Sequence, residues 1–299
     1  MKILLLGKNG QVGWELQRAL APLGDLTTLD RSGSGEYCGD LTDIKGLQDT
    51  LSSIRPDVIV NAAAYTAVDK AESEPELARR INVDAVKVLA ESAAAAGSWL
   101  IHYSTDYVFN GEGVQPWKET SSTQPLNTYG QTKLEGEEAI EASGCKHLIF
   151  RTSWVYSARG NNFAKTMLRL AKEREQLNVI NDQLGAPTSA ELISDVTAHA
   201  LRYAKRHPDV SGLYHLAAAG EVSWHGFADF VIGQARNAGQ RLVVKDIGAI
   251  TTSAYPTPAR RPLNSRLDCQ KLRKTFGLTL PDWQSGVIRM LIETQGTEQ

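Results

Sequence analysis

Cysteine is scarce in this 299-residue chain: Cys38, Cys145 and Cys269 are the only three, and they fall far apart. No Cys-x-x-Cys and no Cys/His cluster links them. That argues against a disulfide framework or a structural zinc and suits a reducing compartment. Long apolar runs are missing too, and none approaches the ~20 residues of a membrane span. The run 3–6 is too short for a signal-peptide core and is broken by Gly7-Lys8-Asn9. Neither charge sign is in excess. Lys and Arg number 32 against 34 Asp and Glu, net −2, so the concentrated basic face that a nucleic-acid backbone demands is absent. The expectation is a cytoplasmic protein that meets neither nucleic acid nor membrane. Hydrophobic residues make up 42% of the chain, ordinary for a globular protein, and the length suits about two domains.

The first half alternates short apolar runs (3–6, 26–29, 58–60, 99–103, 147–150) with amphipathic stretches (11–23, 44–53, 77–96, 129–142). Continuous apolar runs suit strands covered on both faces, and strand–helix alternation predicts a doubly wound α/β sheet with right-handed crossovers. After residue 150 the rhythm loosens. Helices are expected at 162–173, 190–205, 224–238 and 283–293, with a strand at 213–216 and loops at 182–188 and 255–262. The resulting division is a dinucleotide-binding half over 1–150 and a smaller α/β lobe over 151–299, with a soft boundary because later strands can extend the first sheet.

Gly7-x-x-Gly10-Gln11-Val12-Gly13 sits between the first strand and the first helix. Glycines there let the backbone approach a pyrophosphate, and the helix N-terminus offers N–H donors and partial positive charge. The same glycines also suit a tight turn with no ligand. Asp30 ends the second strand, near the spacing of a ribose-binding acid. Arg31 beside it can pair with a 2′-phosphate instead, so the choice between NADH and NADPH stays open, with a modest NADPH preference expected. Asp40-Leu41 can bring a carboxylate near an adenine amine, or Asp40 can serve as a helix cap. Ala62, Ala63 and Ala64, after the third strand, leave room for a cofactor or pack closely.

The chemistry gathers farther on. Tyr129 and Lys133 form Tyr-x-x-x-Lys at a predicted helix start, one turn apart on one face. An ammonium near a phenol favours the phenolate, and such a tyrosine can donate a proton to a ketone. Ser104-Thr105-Asp106 follows the fourth strand, at the sheet edge where α/β proteins bind ligands. Each element is common alone. Glycine turn, acid, hydroxyl and Tyr-x-x-x-Lys in this order are far more specific together.

On these residues the chain resembles the extended short-chain dehydrogenase/reductase family over almost its whole length. Further segments that carry the likeness are 61–72, 104–109, 151–156, Asn161-Asn162-Phe163, 182–188 and Arg261-Pro262-x-x-Ser265. The resemblance implies a Rossmann sheet with a C-terminal substrate lobe and NADPH or NADH as cofactor. It implies Thr105, Tyr129 and Lys133 as catalytic triad, Asp106 and Trp154 beside a sugar nucleotide, and Asn82 as the family's structural asparagine. A core aromatic remains the alternative for Trp154, and an ordinary helix residue for Asn82. Sister enzymes that dehydrate nucleotide sugars read Thr-Asp-Glu where this chain reads Thr105-Asp106-Tyr107. Tyr107 cannot act as a carboxylate base near neutrality, which favours a plain reductase, and the resemblance implies the C4 ketone of a dTDP-4-dehydro-6-deoxy sugar as its substrate.

Open alternatives are a reductase or epimerase on another nucleotide sugar, and a non-catalytic NAD(P)-binding regulatory subunit. Arg260 and Arg261 are candidate cations for the dTDP diphosphate, with a solvated surface loop as the alternative. A homodimer is a further expectation. Mg2+ accompanies some members of the family. The sequence offers no compact carboxylate cluster for it, and Glu15 and Glu191 read as solvated helix charges.

Overall fold

The computed structural model describes residues 1–296. Its main strands are β1 (Lys2–Leu6), β2 (Asp25–Leu29), β3 (Val58–Asn61), β4 (Trp99–Thr105), β5 (Lys146–Thr152), β6 (Gln176–Ile180), β7 (Gly212–His215) and β8 (Asp246–Ile250). The main helices are α1 (Gln11–Leu20), α2 (Ile44–Ile54), α3 (Ala85–Ala96), α4 (Thr128–Ser143), α5 (Phe163–Glu173), α6 (Ala190–Ala204), α7 (Trp224–Asn237), α8 (Gln270–Phe276) and α9 (Trp283–Gly296).

Six strands form one parallel sheet in the order β7-β5-β4-β3-β1-β2. The continuous apolar run of β1 follows from its central place, because alternate residues serve opposite faces. Ile3 and Leu5 pack with Leu16 and Leu20 of α1 and Ile193 and Val196 of α6. Leu4 and Leu6 pack with Leu47 and Leu51 of α2 and Val86 and Leu89 of α3. β2 is an edge strand, and its Asp25-Leu-Thr-Thr-Leu29 sequence is correspondingly more polar and less buried. The chain leaves β1 toward β2 on one side and returns to β3 on the other. The crevice beyond the carboxyl ends of β1 and β3 is therefore the topological switch point, where such sheets bind ligands.

The doubly wound reading holds, and β7, read from the second half of the sequence, pairs with β5 from Gly212 opposite Leu148 to His215 opposite Arg151. The helix read as 77–96 differs. It is assembled from Pro75–Arg79, a π-helical turn at Arg80–Asp84, and α3. The parallel pair β6–β8 and helix α8 were not anticipated. β6 turns Leu177 and Val179 inward against Met167 and Ala171 of α5 and Ile232 of α7, forming a second core beneath the later lobe. Among the described residues no helix is long and apolar enough to cross a membrane.

Candidate active site

A cleft of about 740 Å³ runs along the switch point from Gly7 and Asp30 to Tyr129, Trp154 and Trp224. That lies within the roughly 300–1,000 Å³ typical of small-molecule sites. At one end, Gly7 has φ +87, and a Cβ there would stand 2.7 Å from the Ala63 nitrogen. A Cβ at Gly13 would stand 2.0 Å from the Gly7 carbonyl oxygen. These two positions accept only glycine, and their contact seats α1 against the turn. Gly10 is the N-cap of α1 and no side chain caps that helix, so its first-turn N–H groups are available to an anion at the cleft.

Gly7, Gly10, Gln11, Val12, Asp30, Arg31, Ala62, Ala63 and Ala64 all line this end. Gly13 lies behind Gly7, and Asp40 and Leu41 do not line the cleft. Leu41 is a core residue with Leu29 and Leu47. Asp40 holds Thr42 through its backbone N–H and hydroxyl and meets the Arg31 Nε at 3.3 Å. Asp30 accepts from Asn9 Nδ2 at 2.6 Å and from the Ser32 N–H, with Lys8 at 3.7 Å. Lys8 thus adds a second cation near Asp30 that the sequence reading passed over. The Gln11 side-chain oxygen accepts from Asn162 Nδ2 at 3.0 Å, tying α1 to the N-cap of α5.

At the other end Thr105, Asp106, Tyr129 and Lys133 converge. Burial pushes the Tyr129 phenol up to about 12, the Asp106 charge adds to this, and a hydrogen bond with Thr105 opposes it. The sequence reading expected the opposite shift, from the Lys133 ammonium. Lys133 instead turns its Nζ to the Tyr103 carbonyl at 2.6 Å and to His102 Nε2 at 3.0 Å. Tyr129 is therefore a protonated phenol at neutral pH, the form that a proton donor requires. Burial raises Asp106 to about 7, against hydrogen bonds from Ser265 and Thr105. Asp106 Oδ2, Ser104 Oγ and Thr152 Oγ1 are buried without partners, and all three residues line the cleft. Unpaired buried polar atoms are costly, so these three are the natural hydrogen-bonding points for a polar ligand.

Asn82 is buried in the π-helical turn. Its Oδ1 accepts the Tyr65 N–H at 2.9 Å, and its Nδ2 donates to the Tyr65 carbonyl and Thr132 Oγ1, each at 3.1 Å. One side chain thus pins the loop after β3 to α4. The approach is close: a Cβ on Gly136 of α4 would stand 2.3 Å from the Asn82 carbonyl oxygen. Asn82→Ala is expected to cost about 1–3 kcal/mol for each Tyr65 backbone group left unpaired. Urea unfolding measures this, and an unchanged midpoint would remove Asn82 from the framework of the site.

Trp154 has φ +49, a conformation rare for a bulky residue, and stacks on Trp224 with centroids 3.6 Å apart and planes 14° apart. Both line the cleft. Trp224 was read only as a helix start. Its Nε1 donates to Gln183 Oε1 at 3.1 Å. Arg260 and Arg261 do not line the cleft. Arg261 pairs with Asp69 at 2.6 Å, and Arg260 is exposed, its carbonyl accepting from Asn127 Nδ2. Glu15 pairs with Arg18 and Glu191 with Arg289. Among the described residues no group of three or more His, Cys, Asp or Glu side chains is placed to hold a metal. Mg2+ therefore fits no donor set here, and no residue is assigned to it.

A dTDP-4-dehydrorhamnose reductase of Escherichia coli strain K12 is 62% identical over 293 residues, 98% of each chain. The crystal structure of a Bacillus anthracis dTDP-4-dehydrorhamnose reductase in complex with NADP matches with a TM-score of 0.87 at 35% identity, covering 98% of this chain and 100% of that one. A Clostridium acetobutylicum dTDP-4-dehydrorhamnose reductase matches with a TM-score of 0.88, also at 35% identity, covering 99% of this chain and 100% of that one. The sequence profile of the RmlD substrate binding domain matches residues 1–295, and the chain belongs to that family.

Proposed function

We propose that this chain is an NAD(P)H-dependent oxidoreductase that reduces the C4 ketone of dTDP-4-dehydro-L-rhamnose to dTDP-L-rhamnose, a precursor of surface polysaccharide. The observation that carries the reading is one cleft joining an uncapped helix N-terminus beside a glycine turn to Thr105, Tyr129 and Lys133. Residues 1–150 then chiefly hold the dinucleotide and residues 151–299 chiefly the sugar nucleotide. The cofactor would lie along Gly7, Gly10, Gln11, Val12, Asp30, Arg31 and Ala62 to Ala64, and when bound it supplies the hydride.

Tyr129 donates its proton to the oxygen that becomes the C4 hydroxyl. An alkoxide is a much stronger base than a phenolate, so the transfer runs downhill even with the phenol raised to about 12. Thr105 hydrogen-bonds the same oxygen as its charge grows and holds the phenol in line. Lys133 holds the nicotinamide ribose, and Asp106, with its unpartnered Oδ2, meets a sugar hydroxyl. Trp154 presents apolar area to the sugar ring. Arg260 and Arg261 remain the candidate cations for the diphosphate, Arg261 by exchanging Asp69 for a phosphate oxygen. The cytoplasmic assignment is supported by three free cysteines and the absence of a membrane-crossing helix among the described residues. The homodimer is a proposal that sedimentation decides.

The test is NADPH oxidation on enzymatically generated dTDP-4-dehydro-L-rhamnose, with the product identified. Turnover to dTDP-L-rhamnose is expected. Turnover only on another nucleotide sugar favours the related reductase or epimerase. Tight cofactor binding with no turnover on any 4-keto sugar favours a regulatory subunit.

Arg31 decides part of the cofactor preference. Its side chain lines the cleft, is 83% exposed and, among the described residues, makes one ion pair, with Asp40. Arg31→Ala is expected to lower the NADPH-over-NADH ratio of kcat/KM by ~1 kcal/mol, about fivefold, because an exposed ion pair is screened. An unchanged ratio would leave the 2′-phosphate to Lys8 alone.

A further inference from the structure

Lys133 is buried with an imidazole against it. His102 lies in the middle of β4 opposite Asn61 of β3, and Asn61, His102 and Lys133 are each 1% exposed. The Lys133 Nζ is 3.0 Å from His102 Nε2, and Asn61 Nδ2 is 3.2 Å from His102 Nδ1. The Asn61 amide has a fixed sense, because its Oδ1 accepts the Ala63 N–H at 3.2 Å. Turned over, it would set N–H against N–H. His102 Nδ1 is therefore an acceptor.

Burial alone holds the ring far below its ordinary pKa, so His102 is neutral. A neutral imidazole carries one N–H. With Nδ1 accepting, that proton sits on Nε2 and points at Lys133 Nζ. An ammonium has donors only and cannot receive it. An amine can, and still donates to the Tyr103 carbonyl.

The other groups facing Lys133 are few. On its own helix are Tyr129, one turn before, and Glu137, one turn after. From β4 come His102 and the Tyr103 carbonyl. The nearby carboxylate of Glu137 is engaged by Arg151 of β5 at 2.6 Å. Burial brings Lys133 down to about 8 against Glu137, and the opposed N–H of His102 acts in the same direction as burial.

We propose that His102, oriented by Asn61, is a positioning residue that keeps Lys133 a neutral amine in the ligand-free protein, so that Lys133 takes up a proton from solvent when the dinucleotide enters. The inference rests on the reading of Lys133 as a cofactor-holding residue. The bound ribose hydroxyls offer new acceptors and the pyrophosphate adds negative charge, both of which favour the ammonium. The proton comes from water, and no other bond changes.

The test reads the ring itself. Long-range 1H–15N spectra of the ligand-free chain at neutral pH are expected to show one buried imidazole as the Nε2–H tautomer, identified by its loss in His102→Gln. Asn61→Asp supplies a carboxylate that accepts from Nδ1, so the same ring is expected to switch to Nδ1–H and present a bare Nε2 to an ammonium. Calorimetry of NADH binding in buffers of different ionisation enthalpy is expected to show proton uptake in the native chain, largely lost in Asn61→Asp. An Nδ1–H ring in the native chain, an unmoved tautomer in Asn61→Asp, or NADH binding without proton uptake each overturns the proposal. Should His102→Gln fail to fold, the signal displaced by Asn61→Asp identifies the ring. The spectra need no turnover. An Nε2–H ring in a chain that reduces no 4-keto sugar would sink the reductase reading and leave the tautomer assignment standing.

Discussion

Tyr129→Phe is expected to lower kcat by ~10²–10⁴-fold and leave NADPH affinity nearly unchanged. The phenol is the only side chain in the proposed triad that carries a proton to the substrate oxygen, and loss of a positioned general acid costs that much. Thr105 can still hydrogen-bond the oxygen, so turnover persists at a low level with water as donor. Phenylalanine keeps the ring and its edge-to-face contact with Tyr107, whose centroid lies 5.8 Å away, so the site should not collapse. Steady-state kinetics with a separate titration of cofactor fluorescence decide it. A variant with near-native kcat would move the proton donor elsewhere, Asp106 being the next titratable group in the cleft.

Arg151→Met is expected to cost about 3–5 kcal/mol of stability, the usual price of leaving one half of a buried pair unmatched. The Arg151 guanidinium meets Glu137 through Nε at 2.9 and 3.2 Å and through Nη2 at 2.6 Å, and it lies 5.1 Å from the Phe109 ring centroid. Both side chains are almost wholly buried. Methionine keeps much of the volume and strands the Glu137 carboxylate one turn from Lys133. Removing the second charge as well, in Arg151→Met with Glu137→Leu, is expected to recover most of the loss, since well-packed apolar replacements of buried pairs are often neutral. Urea midpoints of the two variants measure both halves of the statement. A single variant within 1 kcal/mol of the native chain would mean that the pair adds little.

How much was legible in the sequence follows from the range of each interaction. The runs at 3–6, 58–60 and 99–103 read as strands because burial on both faces leaves an apolar signature in a few adjacent residues. The glycine turn and Tyr129-x-x-x-Lys133 were legible for the same reason, since each is held within one turn of chain. β6 had a usable signal that went unread: Leu177 and Val179 alternate with Gln176 and Asn178 at the period of a half-buried strand. The π-helical turn was not legible, because Arg-Ile-Asn-Val-Asp carries no mark that separates a wide turn from an ordinary one. Contacts between distant segments were invisible. Trp224 is 70 positions from the Trp154 it stacks on, and His102 looked like one polar residue in an apolar strand. The second had a clue, since a histidine in a covered strand needs a partner. The missing partner also explains why the shift of Tyr129 came out with the wrong sign: the sequence placed Lys133 on the right face of α4, and the strand beneath took its ammonium away.

The wide turn at Arg80–Asp84 bears on how this chain tolerates insertions and deletions. A π turn is an α-helix with one extra residue looped into it. Removing a single position between Arg80 and Asp84 would restore regular winding, and the helix on either side would keep its orientation, because the extra residue is confined to this one turn. Asn82 would lose its place against Tyr65 and Thr132, while the apolar face of α3, with Val86, Leu89 and Ala93, would stay on the sheet. Most helices absorb a one-residue change by shifting their ends. Here the wide turn confines the change, so a one-residue deletion would spare the packing on both sides and remove the contacts that Asn82 makes with Tyr65 and Thr132.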